Sequence, residues 1–186
     1  MLHDLSFGVA SGEALLLTGP NGAGKSTLLR TLAGFLAPIR GRVTLSGADP
    51  ELSIAEQAHF VGHLNAVKAS LTVAENAAFW VGFLGGAPSS GALTRFGLAA
   101  LADIPAGFLS AGQKRRLALA RLLIARRPLW LLDEPTAALD AAASAILTEV
   151  VDAHVKQGGV AVVATHVPLG LAGARELRLG VPAVGV

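Results

Sequence analysis

The stretch Gly19-Pro20-Asn21-Gly22-Ala23-Gly24-Lys25-Ser26-Thr27 constrains this chain more than any other. It has the pattern G-x-x-x-x-G-K-[ST], a turn whose backbone N–H groups cradle phosphates. Ala14-Leu15-Leu16-Leu17-Thr18 before it is a short apolar run and predicts a buried strand. Leu28 to Ala33 after it predicts the first turns of a helix. The motif therefore stands in the strand–loop–helix setting that it needs. Glycines let the loop curl round an anion without Cβ clashes, and the helix turns its positive end toward the same place. Lys25 would reach the β and γ phosphates, and the Ser26 hydroxyl is placed for Mg²⁺. The plain alternative is a glycine-rich turn with a chance lysine, and the flanking elements weigh against it.

At 186 residues the chain suits one domain, or one domain with an inserted subdomain. Apolar residues make up 52% and charged residues 15%, which leaves weakly charged surface for a partner or reflects an alanine-rich bias. A net charge of +2, with Lys114-Arg115-Arg116 the one dense basic run, does not argue for nucleic acid. With no cysteine there is no disulfide and no thiolate metal site. Met1-Leu2-His3-Asp4 has an acid where a signal peptide would be basic, so none is expected. The uncharged run from Asn76 to Thr94 is broken by Gly82, Gly85, Gly86, Pro88 and Gly91, so it is not expected to span a membrane.

Along the chain, Leu5 to Val9 alternates like a strand, and Arg42 to Leu45 reads as another. Phe60 to His63 reads as a strand end entering a loop. Leu71 to Phe83 reads as a helix, capped by Thr72 with Glu75 completing a capping box. Gly85 to Gly91 reads as a flexible break, and Arg95 to Leu101 as a short helix or turn. Ser110 caps a long helix expected to run to Arg126, with Pro128 beyond it. Leu129 to Leu132 reads as a buried strand, Ala141 to Val155 as a helix, and Val160 to Thr165 as a further buried strand. Apolar strands alternating with helices predict an α/β fold, a mostly parallel sheet covered on both faces.

Four further constellations bear on chemistry. Trp130-Leu131-Leu132 delivers Asp133 and Glu134 at a strand's carboxyl end. Asp133 would hold Mg²⁺ beside Ser26, and Glu134 would polarise an attacking water. Leu109-Ser110-Ala111-Gly112-Gln113 is a capped helix opening and hence an anion-binding end, or simply a helix start. Asp140, after Ala138-Leu139, is either a site residue or the N-cap of the next helix. His166 stands at a strand end within reach of a γ-phosphate, although a lone His is often structural.

Taken in this order and spacing, the P-loop, Leu109–Gln113, Asp133-Glu134, Asp140 and His166 resemble the ATP-binding subunits of ABC transporters. The resemblance covers nearly the whole chain. It implies a P-loop NTPase fold over residues 1–186, with a small helical insert at about 66–109 and a short antiparallel β part near the N-terminus. It implies ATP and Mg²⁺ as ligands, with the bound nucleotide touching Gly19, Pro20, Asn21, Gly22, Ala23, Gly24, Lys25, Ser26 and Thr27. Two copies would pack head-to-tail, so that the P-loop of one faces Ser110, Gly112 and Gln113 of the other across a twofold interface. Glu134 becomes the general base, His166 the γ-phosphate contact, and Asp140 the link across the dimer. A multi-span permease completes the complex, with this subunit on the cytoplasmic face of the inner membrane.

A narrower resemblance is to the haem-exporter ATPases of cytochrome c biogenesis. It rests on Gly62-His63, where the wider family has a Gln, and on Lys68 to Asn76, Phe79-Trp80 and Leu109 to Leu122. His63 then takes the place of a residue that senses Mg²⁺ and the membrane partner, or is a loop His without that role. Such ATPases usually begin with a further strand whose aromatic ring stacks on adenine. The chain is read as starting after that strand, it has no Tyr, and no adenine-stacking residue is assigned. The insert with Phe79, Trp80 and Phe83 is either the docking surface for the permease or its own small core.

Other classes predict other features. Another small ABC exporter would share the P-loop, Leu109–Gln113, Asp133-Glu134, Asp140 and His166. A soluble P-loop kinase would carry an Arg-rich lid and no Ser110-type helix opening. A cassette of translation or DNA repair would add a second cassette or a coiled coil, and no heptads separate His63 from Leu109. An inert binding module would have no use for Glu134 and His166.

Overall fold

The computed structural model describes residues 2, 4–86, 88–167 and 169–180. Five strands, β1 (Ala14–Thr18), β2 (Ala58–Val61), β3 (Leu129–Asp133), β4 (Val160–Ala164) and β5 (Arg175–Arg178), form one sheet in the order β2-β3-β4-β1-β5. All four pairings are parallel, with Leu16 opposite Val163, Leu132 opposite Val163, and Thr18 opposite Arg178. The helices are α1 (Lys25–Leu32), α2 (Val73–Leu84), α3 (Ser90–Arg95), α4 (Ala111–Ala120) and α5 (Ala141–Lys156).

The chain divides into two compact units. One holds residues 1–62, 127–134 and 151–186, and the other 63–126 and 135–150. The sheet and α1 belong to the first. Side chains alternate along a strand, so each central strand serves two layers. Leu15, Leu17, Leu129, Leu131, Val162 and Ala164 turn to one face and pack with Leu28 and Leu29 of α1. On the other face Trp130 stacks against His154 near the end of α5, rings 3.9 Å apart and 4° from parallel. Being covered on both faces explains why β3 is apolar without alternation and buried along its whole length. Removing Leu131, which is fully buried, by substitution with Ala would cost about 2–5 kcal/mol.

In the second unit, α2 begins with the expected capping box: Thr72 Oγ1 accepts from Glu75 N at 3.1 Å, and Glu75 Oε2 accepts from Thr72 N at 2.7 Å. Asn76, buried one turn later, latches the preceding loop. Its amide donates to the carbonyls of Lys68, Leu71 and Thr72, and its Oδ1 accepts from Lys68 N.

Several sequence expectations are corrected. Residues 5–9 and 42–45 form no strand, so the antiparallel β part near the N-terminus is absent among the described residues. Two segments of five and four residues gain too little from pairing alone, since an isolated two-stranded ribbon is marginal in water. The helix from Ser110 stops being α-helical at Ala120 and continues as one tighter turn over Arg121–Leu123. That turn carries the Arg121 guanidinium over the Trp80 ring, 4.9 Å from its centre. It also brings the Ile124 carbonyl so near Gly86 that an added Cβ would lie 2.2 Å from it. The stretch Gly85 to Gly91 is not wholly a break, because α3 starts at Ser90. Of the expected element from Arg95 to Leu101, Arg95 ends α3 and Ala99–Leu101 forms a single turn. Strand β5 was not expected; its Arg-Glu-Leu-Arg sequence carries the charges of an edge strand rather than an apolar run.

Candidate functional site

The P-loop leaves β1 at Thr18 and enters α1 at Lys25. Gly19 sits at φ +131°, and an added Cβ there would meet the Leu179 carbonyl oxygen at 2.4 Å. Leu179 N donates to Thr18 O at 2.8 Å, so the end of β5 is fastened against the start of the loop. No other residue fits that position. Gly24, at φ +97°, is the N-cap of α1, and no side chain caps the helix. Its first N–H groups are left to a ligand, which is the arrangement that binds phosphate. Lys25 is buried and folds back on its own loop, its Nζ donating to Gly19 O at 2.7 Å and Pro20 O at 3.2 Å. Pro20, Asn21, Gly22 and Thr27 are exposed, and Ala23 and Ser26 half-buried.

At the carboxyl end of β3, Asp133 is buried and Glu134 half-buried. Glu134 adopts φ +45°, a left-handed conformation that a non-glycine residue holds only where its surroundings impose it. Its N–H donates to the Ala164 carbonyl at 2.9 Å. Its Oε2 lies 2.9 Å from His166 Nδ1, which follows the neighbouring strand β4. The structure thus brings both expected catalytic residues together.

The chemistry of the donors fits Mg²⁺. Ser26 and Asp133 carry hard oxygen donors, and Mg²⁺ takes one or two such groups while phosphates and water fill the rest. Among the described residues no group of three or more His, Cys, Asp or Glu side chains converges on one point.

The second unit presents the remaining expected residues. Ser110 caps α4, its Oγ accepting from Gln113 N at 3.2 Å, while Gln113 Oε1 accepts from Ser110 N at 2.8 Å. Gly112 lies so close to the 135–140 loop that an added Cβ would meet Ala138 O at 2.7 Å. Ala138 is itself left-handed at φ +63°. Asp140 Oδ1 accepts from Ala143 N at 2.7 Å and so caps α5. Ser110, Gly112, Gln113, Arg116 and Asp140 line one shallow concavity with Ala138, Leu139 and Ala143. His63 stands exposed just after β2. Phe79 and Phe83 are exposed as well, stacked 5.9 Å apart on α2 with Trp80 half-buried beside them.

The sequence reading missed Arg115, which it saw only as part of a basic run. Arg115 is 3% exposed, its Nε donating to Pro135 O at 3.1 Å and its guanidinium to Asn65 Oδ1 at 3.2 Å. The signal was its register: Arg115, Ala118, Leu119 and Leu122 form one helical stripe that is otherwise apolar. Burial and the charge of Arg115 push the Arg121 guanidinium down to about 10.

The chain resembles known proteins over most of its length. A family profile described as ABC transporter matches residues 2–137. The chain is 53% identical over 181 residues to the cytochrome c biogenesis ATP-binding export protein CcmA of Rhodopseudomonas palustris (strain BisB5), covering 96% of this chain and 90% of that one. It is 53% identical to the protein of the same name from Agrobacterium fabrum (strain C58 / ATCC 33970), over 184 residues, with 95% and 86% covered. Among solved structures, an ATP-binding subunit of an ABC transporter superposes with a TM-score of 0.84 at 24% identity, covering 96% of this chain and 79% of that one. A dimeric, post-hydrolysis state of an ATP-binding cassette bound to ADP and Pi superposes at 0.77 with 27% identity, covering 93% and 83%. The parallel sheet expected from the sequence is the fold those structures share, and this chain belongs to the ABC transporter family.

Proposed function

We propose that the chain is the ATP-binding and ATP-hydrolysing subunit of a membrane export complex that serves c-type cytochrome biogenesis, with haem handling as the process it drives. The observation that carries the hydrolytic part is the Glu134–His166 pair at 2.9 Å, standing at the carboxyl ends of adjacent strands β3 and β4. In this order of strands β4 also neighbours β1, which leads into the P-loop. Ligands of open parallel sheets bind outside the carboxyl ends of the strands. The export role comes from the relatives' name, which says that they are ATP-binding export proteins of cytochrome c biogenesis.

The residues divide the work as follows. The glycine-lined turn and the uncapped start of α1 receive the triphosphate. Lys25 exchanges its bonds to Gly19 and Pro20 carbonyls for phosphate oxygens. Ser26 and Asp133 would hold Mg²⁺, which when bound would offset negative charge on the phosphates. Glu134 takes a proton from a water whose oxygen attacks the γ-phosphorus. His166 orients that carboxylate and contacts the γ-phosphate. The bond from the γ-phosphorus to the bridging oxygen breaks, releasing ADP and inorganic phosphate.

The active form is two copies packed head-to-tail, with Ser110, Gly112 and Gln113 of one closing over nucleotide held by the other. Asp140 lies in the same concavity and links the halves. His63 follows β2 as the nucleotide-sensing residue. The described residues include no helix long and apolar enough to cross a membrane. The relatives' name as export proteins supports placing the subunit on the cytoplasmic face of the membrane, held by a multi-span partner. The test is phosphate release measured against subunit concentration, alone and with the membrane partner in vesicles. The reading expects the rate per subunit to rise with concentration and with the partner. A rate independent of both, or transfer of phosphate to a small-molecule acceptor, overturns it.

A further inference from the structure

We propose that Arg115 is a positioning residue for hydrolysis, acting through the Pro135 carbonyl and the Asn65 side chain rather than on the nucleotide. The inference rests on the reading of Glu134 as general base. A cation buried this deeply is expensive, and an apolar residue would complete the α4 stripe at less cost. What the guanidinium offers instead is a rigid fork with several donors. One arm holds Pro135, the residue directly after Glu134, and another holds Asn65, two residues after His63. Both of these acceptors are neutral, and each bond fixes the place of the loop that carries it.

Glu134 needs such a device because its left-handed backbone is strained. On its N-terminal side the Ala164 carbonyl fixes its own N–H. On its C-terminal side the next carbonyl is fixed by Arg115. Arg115 also lies on the helix that opens at Ser110, so a displacement of α4 on engaging nucleotide would be passed to the loops behind Glu134 and His63. A shift of about 1 Å in a catalytic group can lower a rate by about 10².

The experiment uses the full chain reconstituted with its membrane partner. It compares Arg115→Met, Arg115→Lys and Asn65→Leu for kcat of phosphate release, ATP affinity and thermal midpoint. Both Arg115 variants should lower kcat by about tenfold or more while ATP affinity changes by less than about twofold. Lys keeps the charge but, as a point donor, does not span both acceptors, so it should fail to restore the rate. Asn65→Leu removes one acceptor in a half-buried loop and should lower kcat to a smaller degree with the midpoint unchanged; it decides the matter if Arg115→Met does not fold. Wild-type kcat in both Arg115→Lys and Asn65→Leu overturns the proposal. A wild-type complex that releases no phosphate overturns the ATPase reading itself and this inference with it.

Discussion

His166 Nδ1 lies 2.9 Å from Glu134 Oε2, and the two residues leave adjacent parallel strands paired at Asp133 and Ala164. The register therefore sets the distance between them. Replacing Glu134 by Gln keeps the size of the side chain and its contact with His166 but removes the base. Loss of a general base lowers a rate by about 10²–10⁴-fold. Phosphate release should fall by that factor while ATP still binds, and the ATP-bound dimer should accumulate, as read by light scattering. Near-normal turnover would take Glu134 out of the role.

Lys25 is hydrogen-bonded within its own loop, so its replacement acts twice. Lys25→Ala removes a charged donor worth about 1.5–3 kcal/mol, and leaves the Gly19 and Pro20 carbonyls to water. ATP affinity measured calorimetrically should fall about 10- to 100-fold. An unchanged affinity would contradict the assignment of the loop as the phosphate cradle.

The contrast between these two sites and the rest shows what sequence reveals. The P-loop and the run ending in Asp133-Glu134 were legible because their chemistry and their place on a strand are both local. So were the caps at Thr72 and Ser110, whose partners sit three residues away. Strand β5 was not legible, because an edge strand need not be apolar and its pairing with β1 spans the chain. The early end of α4 was hidden for a similar reason: the turn at Arg121 answers to Trp80 and Gly86, some forty residues earlier by the spacing in the sequence. Arg115 carried its signal in register, but a cation in an apolar stripe has meaning only once Pro135 and Asn65 are seen beside it.

Phe79 and Phe83 were open to two readings, surface or core. Both rings are exposed, at 57% and 71%. Truncating a core Phe costs about 3–5 kcal/mol, whereas surface changes stay within about 0.5 kcal/mol. Phe79→Ser and Phe83→Ser should therefore leave the urea midpoint of the isolated subunit almost unchanged. A loss of several kcal/mol would show that the stacked pair fills a core after all.

Gly112 is a strict steric test of the second unit. An added Cβ would come within 2.7 Å of the Ala138 carbonyl oxygen, a backbone atom in a loop whose own φ of +63° leaves it little room to retreat. Gly112→Ala must then push the opening turn of α4 away from the loop that carries Asp140. Ser110 and Gln113 cap that turn through each other and would move with it. Overpacking of this kind costs about 1–3 kcal/mol, so the variant should fold with a lowered thermal midpoint. ATP binding to a single subunit, which uses the P-loop in the other unit, should be retained. Phosphate release from the dimer should fall, because the surface offered to the second nucleotide is displaced. If Gly112→Ala lost monomer ATP binding in step with hydrolysis, the division of one site between two copies would be refuted.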